Sequence, residues 1–140
     1  MISWPDLAGK LLADGSHVLP VRVYYEDTDT SGRVYHGAYV RFCERGRSDW
    51  LRCHGLNHRE FAESLEPAYF AVKKITLEFL KHATIDDVLD VRTRTEEKRG
   101  ASLILDQSIW RGKEQLIVAE VQVVLLSQTG KVLRLKNYFV

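Results

Sequence analysis

The run from residue 24 to residue 37, YYEDTDTSGRVYHG, contains the side chains of this chain that are best suited to chemistry. It holds the carboxylates of Glu26, Asp27 and Asp29, followed by Gly32 and the imidazole of His36. A carboxylate beside the start of a helix is suited to acyl chemistry, because it can attack an acyl carbon or activate a water molecule. The unbonded backbone N–H groups at the helix start can hold the carbonyl oxygen of the substrate.

The elements around this run follow from the spacing of its neighbours. Residues 21–25 alternate as in a β-strand, and residues 29–32 are of types that form turns. Apolar residues recur at helical spacing over residues 37–53, which predicts a helix. Gly46 lies inside that helix and indicates a close approach to another backbone, since glycine costs about 1 kcal/mol relative to alanine there.

After this helix the chain becomes rich in predicted strands. Apolar alternation or continuous apolar runs predict strands at residues 74–79, 89–94, 103–109, 116–126 and 131–135. Residues 1–20 are interpreted as an N-terminal lead-in with a short helix at residues 6–13, and residues 58–65 as a helical turn. The long helix is the only large element available to cover the sheet. The expected fold class is therefore α+β, an antiparallel sheet of five to six strands wrapped around one long central helix, in a single domain over residues 21–140.

Length and composition exclude several classes of protein. A chain of 140 residues with 45% apolar residues suits one domain with a proper core. A net charge of +1 gives no argument for nucleic acid as a partner, and no apolar stretch has the length of a membrane span. The N-terminus does not resemble a signal peptide, and Cys43 and Cys53 fall on different helix faces, which argues against a disulfide. The simplest expectation is a reduced, cytoplasmic location.

The order of elements and the residues of the run together resemble the hotdog-fold thioesterases. The similarity is greatest to the 4-hydroxybenzoyl-CoA thioesterase family and, within it, to the bacterial acyl-CoA thioesterases associated with the Tol-Pal system. The residues that carry it are 21–29, Gly32, 34–36, Tyr39, Phe42, Glu44, Arg45 and Arg47, with a weaker match at 98–102. The resemblance covers roughly residues 21–136, which is most of the chain.

What the resemblance implies is the hydrolysis of an acyl-CoA thioester. The essential carboxylate of the family falls on Asp29, with His36 in support. The N–H groups that polarise the thioester carbonyl fall near Tyr35, His36 and Gly37. Members of the family assemble as dimers or tetramers with active sites between subunits, so a homo-oligomer, specifically a homotetramer, is expected. CoA is part of the substrate, and neither a cofactor nor a metal is implied.

Basic side chains at two places are candidates for contacts to the CoA nucleotide. Lys73 precedes a predicted strand, and Lys98 and Arg99 precede the strand junction at Ser102, which is itself a candidate ligand contact. Lysines at strand ends commonly do no more than protect a sheet edge, and Ser102 could simply begin a strand. These four residues are the predicted substrate-binding set.

The sequence leaves plainer alternatives open. Asp29 could be an ordinary turn aspartate, and Asp27 a solvated or backbone-bonding one. If Asp29 is catalytic, it could be a nucleophile or a general base. Two other functions are also open. A hotdog hydratase or dehydratase would have the same fold and another reaction, and a non-catalytic module would bind acyl-CoA or an acyl carrier without hydrolysing it.

The spacing of the candidate ligand residues argues against metal sites. Residues 27–32 imitate the first half of a calcium loop, but Ala38 stands where a bidentate glutamate is needed. The pair His54 and His58 is interrupted by Gly55, which is expected to end the helix.

Overall fold

The structure, a computed structural model, describes residues 1–135. Its elements are β1 (Lys10–Leu11), β2 (His17–Arg22), a 3-10 turn (Tyr25–Asp27), α1 (His36–Cys53), α2 (His58–Glu63), β3 (Ala68–Phe79), β4 (Val88–Arg99), β5 (Ser102–Arg111), β6 (Glu114–Ser127) and β7 (Val132–Leu133). Residues 136–140, assigned to the same domain by the sequence analysis, lie outside the described residues.

The strands of the described chain form one antiparallel sheet that packs against α1. The strand order is β1-β2-β4-β5-β6-β3, and β7 pairs with β6 beyond the end of β5. Leu105 pairs with Val121 and Ile109 with Ile117, so buried apolar side chains lie side by side on one face of the sheet. The predicted α+β class, with a sheet wrapped on one long helix, is confirmed.

The long helix α1 covers the buried face of the sheet and matches its predicted bounds to within one residue. Phe42 and Cys43 belong to the face of α1 that contacts the sheet, and both are fully buried. A Cβ atom at Gly46 would lie 2.7 Å from Cγ1 of Val91 and 3.1 Å from Oγ1 of Thr93. The glycine therefore allows a close approach, as predicted, but the approach is to side chains of β4 rather than to another backbone.

The predicted short helix at residues 6–13 is wrong. Gly9 adopts a φ of +73°, and Lys10–Leu11 pair with His17 and Val18 as a β-hairpin. A left-handed residue interrupts a helix, and the turn that follows brings the chain back on itself. The helix α2, in contrast, lies within the helical turn predicted at residues 58–65.

The first long strand also begins earlier than predicted. It is β2, at His17–Arg22 rather than at residues 21–25, so the predicted boundary between residues 20 and 21 falls inside a strand. Pro20 obscures this strand in the sequence. It lies past the short pairing with β1, where β2 forms the edge of the sheet and a missing N–H group is tolerated. The N-terminal segment thus supplies strands, and the sheet formed by residues 1–135 has seven where five to six were expected.

The fold places the carboxylate-bearing run at one end of the sheet. The N–H group of Val34 donates to the carbonyl oxygen of Ala83, and that of Val23 donates to Asp87. Both acceptors belong to the loop between β3 and β4. The turn between β4 and β5 lies at the opposite end, because the 12 residues of β4 span about 35 Å at the usual rise of a strand.

Within residues 1–135, no helix combines the length and apolar character needed to cross a membrane.

Candidate active site

Asp27 anchors the run to α1. Its side chain is buried, and its Oδ2 accepts a hydrogen bond of 2.9 Å from the Tyr24 N–H while its Oδ1 lies 3.3 Å from Nη2 of Arg41. Its carbonyl oxygen accepts a further bond of 2.8 Å from the Tyr35 N–H. Asp27 therefore bonds backbone and holds the turn against the helix, and the first of the two aspartates has a structural role.

Asp29 is the exposed aspartate of the pair. Its Oδ1 accepts bonds of 2.8 Å from the Ser31 N–H and 2.5 Å from the Ser31 hydroxyl. The Ser31 hydroxyl, then the Ser31 N–H group, lower the pKa of Asp29, and the positive charges of Arg33 and His36 lower it further. The carboxylate is thus held ionised, while its Oδ2 has no hydrogen-bond partner among residues 1–135.

The loop around Asp29 is closed by its own backbone. The Asp29 N–H donates to the carbonyl oxygen of Arg33, and the Gly32 N–H donates to that of Asp29, each at 3.0 Å. Gly32 has a φ of +80°, a conformation that favours glycine. The turn predicted at residues 29–32 is therefore present, and it presents the carboxylate to solvent.

The start of α1 offers two unbonded N–H groups. The Tyr35 N–H is used by Asp27, and the Ala38 N–H donates to the carbonyl oxygen of Tyr35. The N–H groups of His36 and Gly37 have no acceptor among the described residues. Two of the three predicted donors are therefore available, and they lie at the positive end of the helix dipole.

The Tyr35 side chain lies across the first turn of the helix. Its ring centroid is 4.3 Å from that of His36. A Cβ atom at Gly37 would lie 2.6 Å from Cε1 of Tyr35, which explains the glycine at this position. The Tyr35 ring thus packs on Gly37 and His36, and the Tyr35 N–H is occupied by Asp27.

Three of the four predicted substrate-binding residues lie at the far end of the sheet. Lys98, Arg99 and Ser102 flank the β4–β5 turn, and Lys73 lies at a bulge in β3 between Val72 and Lys74. Within a single chain, the length of β4 separates the turn residues from the end that carries Asp29. The single chain therefore brings together Asp29, Tyr35, His36 and Gly37, and it does not bring the basic set to them.

Arg99 is also engaged within its own strand. Its Nη2 donates to Oε2 of Glu97 at 3.0 Å, and its Nε lies 2.9 Å from Oε1 of the same carboxylate. This two-point contact raises the pKa of Arg99. A phosphate would have to share or displace Glu97, whereas Lys98 and Lys73 are exposed and have no ion pair among residues 1–135.

A cavity of about 170 Å³ lies near the same far end, between the second half of α1, α2 and the sheet. Its apolar lining comes from Trp50, Leu51, Phe70, Ala71, Val72, Leu103, Leu105 and Val123, and its polar lining from Glu44, Arg47, Ser48 and His58. Val72 and Leu103 both pair with Val123, so Lys73 and Ser102 adjoin this cavity.

The sequence analysis did not identify this cavity as part of a site. Glu44, Arg47 and Ser48 follow the i, i+3, i+4 spacing that places side chains on one helix face. That spacing was a usable signal. The same spacing is also typical of an exposed ion pair, because the sequence does not show that α2 and β3 close over this face.

Comparison with known proteins adds a family to this geometry. The model of the thioesterase superfamily matches residues 31–118. The chain belongs to this superfamily. The matched segment contains all of α1 and most of the sheet, and it begins two residues after Asp29.

Relatives and solved structures agree with this assignment. Acyl-CoA thioester hydrolase YbgC of Escherichia coli O157:H7 is 44% identical over 106 residues, which are 75% of this chain and 78% of that protein. Acyl-CoA thioesterase YbgC of Haemophilus influenzae is 38% identical over 112 residues, 80% of this chain and 82% of that one. A crystal structure of a probable thioesterase from Bartonella henselae superposes with a TM-score of 0.84 at 38% identity, covering 85% of this chain and 98% of the other.

Proposed function

We propose that this protein hydrolyses acyl-CoA thioesters, and that the Asp29 carboxylate carries the reaction at sites formed between two copies of the chain. The activity follows from membership in the superfamily and from relatives that are named for it. The observation that supports Asp29 is an ionised carboxylate with a free oxygen, in a loop that leads directly to two free N–H groups.

The chemistry has two possible routes from the same geometry. In the first, an Asp29 oxygen bonds to the thioester carbon and the C–S bond breaks, releasing CoA as a thiolate that takes up a proton. Water then hydrolyses the mixed anhydride and restores the carboxylate. In the second, Asp29 removes a proton from a water molecule, whose oxygen attacks the same carbon; the C–S bond then breaks, and the CoA thiolate takes up the proton held by Asp29. Both routes place negative charge on the former carbonyl oxygen.

The N–H groups of His36 and Gly37 are suited to that developing charge. One preorganised donor of this kind is worth about 3–4 kcal/mol of barrier. The dipole of the 18-residue helix α1 acts in the same direction. His36 additionally favours the ionised form of Asp29 through its charge. This is the supporting role that the proposal gives to the histidine.

A second copy of the chain is needed to complete the site. The strand β3 pairs only with β6 among the described strands, so its outer edge is open along 12 residues. Open edges of this length are templates for pairing with another chain. The exposed apolar side chains of Tyr69, Val72 and Phe79 lie along β3. We place the subunit contact at this edge.

Twofold pairing at β3 has a useful geometric consequence. Antiparallel alignment sets the Phe79 end of one β3 beside the Ala68 end of the other. The Phe79 end is the end of the sheet that carries Asp29, whereas the Ala68 end is nearer to Lys98, Arg99 and Ser102, and Lys73 lies midway along β3. The pairing therefore brings the carboxylate of one copy toward the predicted nucleotide contacts and the cavity of the other.

The proposal includes a cytoplasmic location and a homotetramer built from such dimers. Cys43 and Cys53 are both free thiols, which suits a reducing compartment.

Thiol release from a set of aliphatic and aromatic acyl-CoAs tests the proposal, with the parent protein and Asp29→Asn measured side by side. We expect release by the parent, strong loss in the variant, and a dimer or tetramer by light scattering. A parent that binds acyl-CoA without releasing thiol would identify a binding module instead. An unchanged rate in Asp29→Asn would remove Asp29 from the mechanism.

A further inference from the structure

The cavity between α1, α2 and β3 is lined by a cation that has no carboxylate in direct contact among the described residues. Arg47 lines the cavity, and its Nη1 donates to Oε1 of Gln107 at 3.1 Å. Gln107 is a neutral and fully buried acceptor. No carboxylate lies within 4.0 Å of the Arg47 guanidinium in the described part of the chain, and no other acceptor bonds it there. Several N–H groups of Arg47 are therefore left without a partner among residues 1–135.

Five other arginines of the described chain do contact a carboxylate. Carboxylate partners are found for Arg41, Arg52, Arg94, Arg99 and Arg111. Four of those five have side chains about half exposed or more, where an ion pair contributes little. Arg47 is more withdrawn from water, and this burial lowers its pKa. A withdrawn cation is costly unless an anion compensates it, and here the charge of Glu44 offsets that cost only in part, without direct contact.

Glu44 is the neighbouring anion, and its charge acts on Arg47 although the two side chains do not form an ion pair. Glu44 is exposed, and its Oε1 accepts a bond of 2.8 Å from the Ser48 hydroxyl. Because this bond uses the Ser48 proton, the 2.9 Å contact between Ser48 Oγ and His58 Nε2 requires that the histidine donate. The carboxylate is thus held on the solvent side of the cavity by a chain of hydrogen bonds, away from a direct contact with Arg47.

We propose that this cavity binds the acyl group of the substrate, and that Arg47 recognises a carboxylate at the far end of a short acyl chain. The inference rests on the proposed function, because only a thioester held by the paired copy would place its acyl group here. Lys73 and Ser102 are sequence neighbours of the cavity-lining residues Val72 and Leu103, so the cavity lies at the same level of the sheet as these two predicted CoA contacts. Guanidinium groups bind carboxylates through two parallel hydrogen bonds.

The size of the cavity limits the chain length. A volume of about 170 Å³ lies below the roughly 300–1,000 Å³ of common small-molecule pockets. It suits a short acyl group, such as three methylene groups and a carboxylate. The acyl class that fits is therefore a short dicarboxylic acid linked to CoA through one of its ends.

The test compares two thioesters of nearly equal shape. Glutaryl-CoA carries a terminal carboxylate, and 5-methylhexanoyl-CoA carries an isopropyl group in its place. We expect the parent to prefer glutaryl-CoA by about tenfold or more in kcat/KM. Arg47→Met should remove most of that preference by slowing glutaryl-CoA alone. Arg45→Met is the matched control, since Arg45 is exposed on the same helix and lines a different part of the surface.

A second variant protects the test against a folding defect in Arg47→Met. Glu44→Gln removes the negative charge at the mouth of the cavity and keeps an oxygen for Ser48, so it should increase the preference for glutaryl-CoA. Equal rates of the parent on both thioesters would overturn the proposal, as would a parallel loss on both in Arg47→Met with a change in oligomer size. If the proposal fails but the parent still hydrolyses 5-methylhexanoyl-CoA, the proposed function is left intact. The absence of any thiol release by the parent would contradict the function itself.

Discussion

Two loops of this protein build the same local structure around an aspartate. In one, Asp14 Oδ1 accepts bonds of 3.0 Å and 2.6 Å from the N–H and hydroxyl of Ser16. In the other, Asp29 Oδ1 accepts the corresponding bonds from Ser31. Each loop contains a glycine with positive φ, each carboxylate is exposed, and the serine hydroxyl is the main cause of a lowered pKa in both. The charge state of an aspartate is therefore set locally, two residues away.

The two loops differ in the element of secondary structure that follows each of them. The Asp14 loop closes the hairpin between β1 and β2 and continues into a strand. The Asp29 loop is tied by Asp27 to the start of α1, where the N–H groups of His36 and Gly37 are free among the described residues. Both loops therefore hold an ionised carboxylate. Asp29 is the candidate for acyl chemistry because N–H groups that could stabilise an oxyanion lie nearby.

The largest expected effect separates the two aspartates directly. Asp29→Asn should lower kcat for acyl-CoA hydrolysis by about 10²–10⁴-fold, because the amide can serve neither as nucleophile nor as base. Asp14→Asn, which removes the same type of loop carboxylate, should leave the rate within about twofold. Thiol-release kinetics on both variants measure this contrast. Equal losses of rate would show that the position of Asp29 beside the start of α1 does not make it catalytic.

A substitution at Gly37 examines the helix start while leaving both carboxylates in place. The added Cβ of Gly37→Ala would meet the Tyr35 ring at 2.6 Å and displace it across the free N–H groups. We expect kcat to fall by about 10- to 100-fold, the size of a misplacement of about 1 Å. Thermal unfolding serves as the control. A full rate in a well-folded Gly37→Ala would argue against these N–H groups as the oxyanion site.

Asp27→Asn tests the tether that distinguishes the loops. The amide keeps an oxygen for the Tyr24 N–H but loses the charge that attracts Arg41. Because Arg41 is about half exposed, the unfolding free energy should fall by only about 1 kcal/mol, with a smaller loss of rate than in Gly37→Ala. Chemical denaturation and thiol release measure the two quantities together. An intact rate with a large loss of stability would show that the tether does not position Asp29.

The smallest effect is a shift in pH dependence. Ser31→Ala removes the hydroxyl that contributes most to the lowered pKa of Asp29, so that pKa should rise and the acidic limb of the kcat/KM profile should move to higher pH. Ser16→Ala should raise the pKa of Asp14 without moving the profile. In both parent loops the lowered pKa favours the folded state above the unfolded pKa, and this contribution disappears as the pH falls through the folded value. An acidic limb that stays in place in Ser31→Ala would assign it to another group.

Much of the fold could be predicted because its signals are local. The bounds of α1 follow from apolar spacing, and the turn at residues 29–32 follows from residue types. The family followed from the motif and is confirmed, and the relatives support the predicted acyl-CoA hydrolysis. The predicted start of β2 is four residues too late, because a proline such as Pro20 is typical of a strand only where that strand lies at the edge of a sheet. The roles of individual site residues stay predictions.

The sequence alone determined that α1 begins just after a cluster of carboxylates and that Asp29 lies in a turn, since bonds between residues two to four positions apart depend only on local residue types. Only the tertiary structure decided that Asp27 is buried and Asp29 exposed. It also decided that the Tyr35 N–H is occupied, that β4 separates Arg99 from Asp29, and that Arg47 reaches Gln107. Those outcomes depend on contacts between distant segments, with Arg47 and Gln107 60 positions apart. Packing of the whole sheet against one helix creates such contacts, and no short stretch of sequence encodes them.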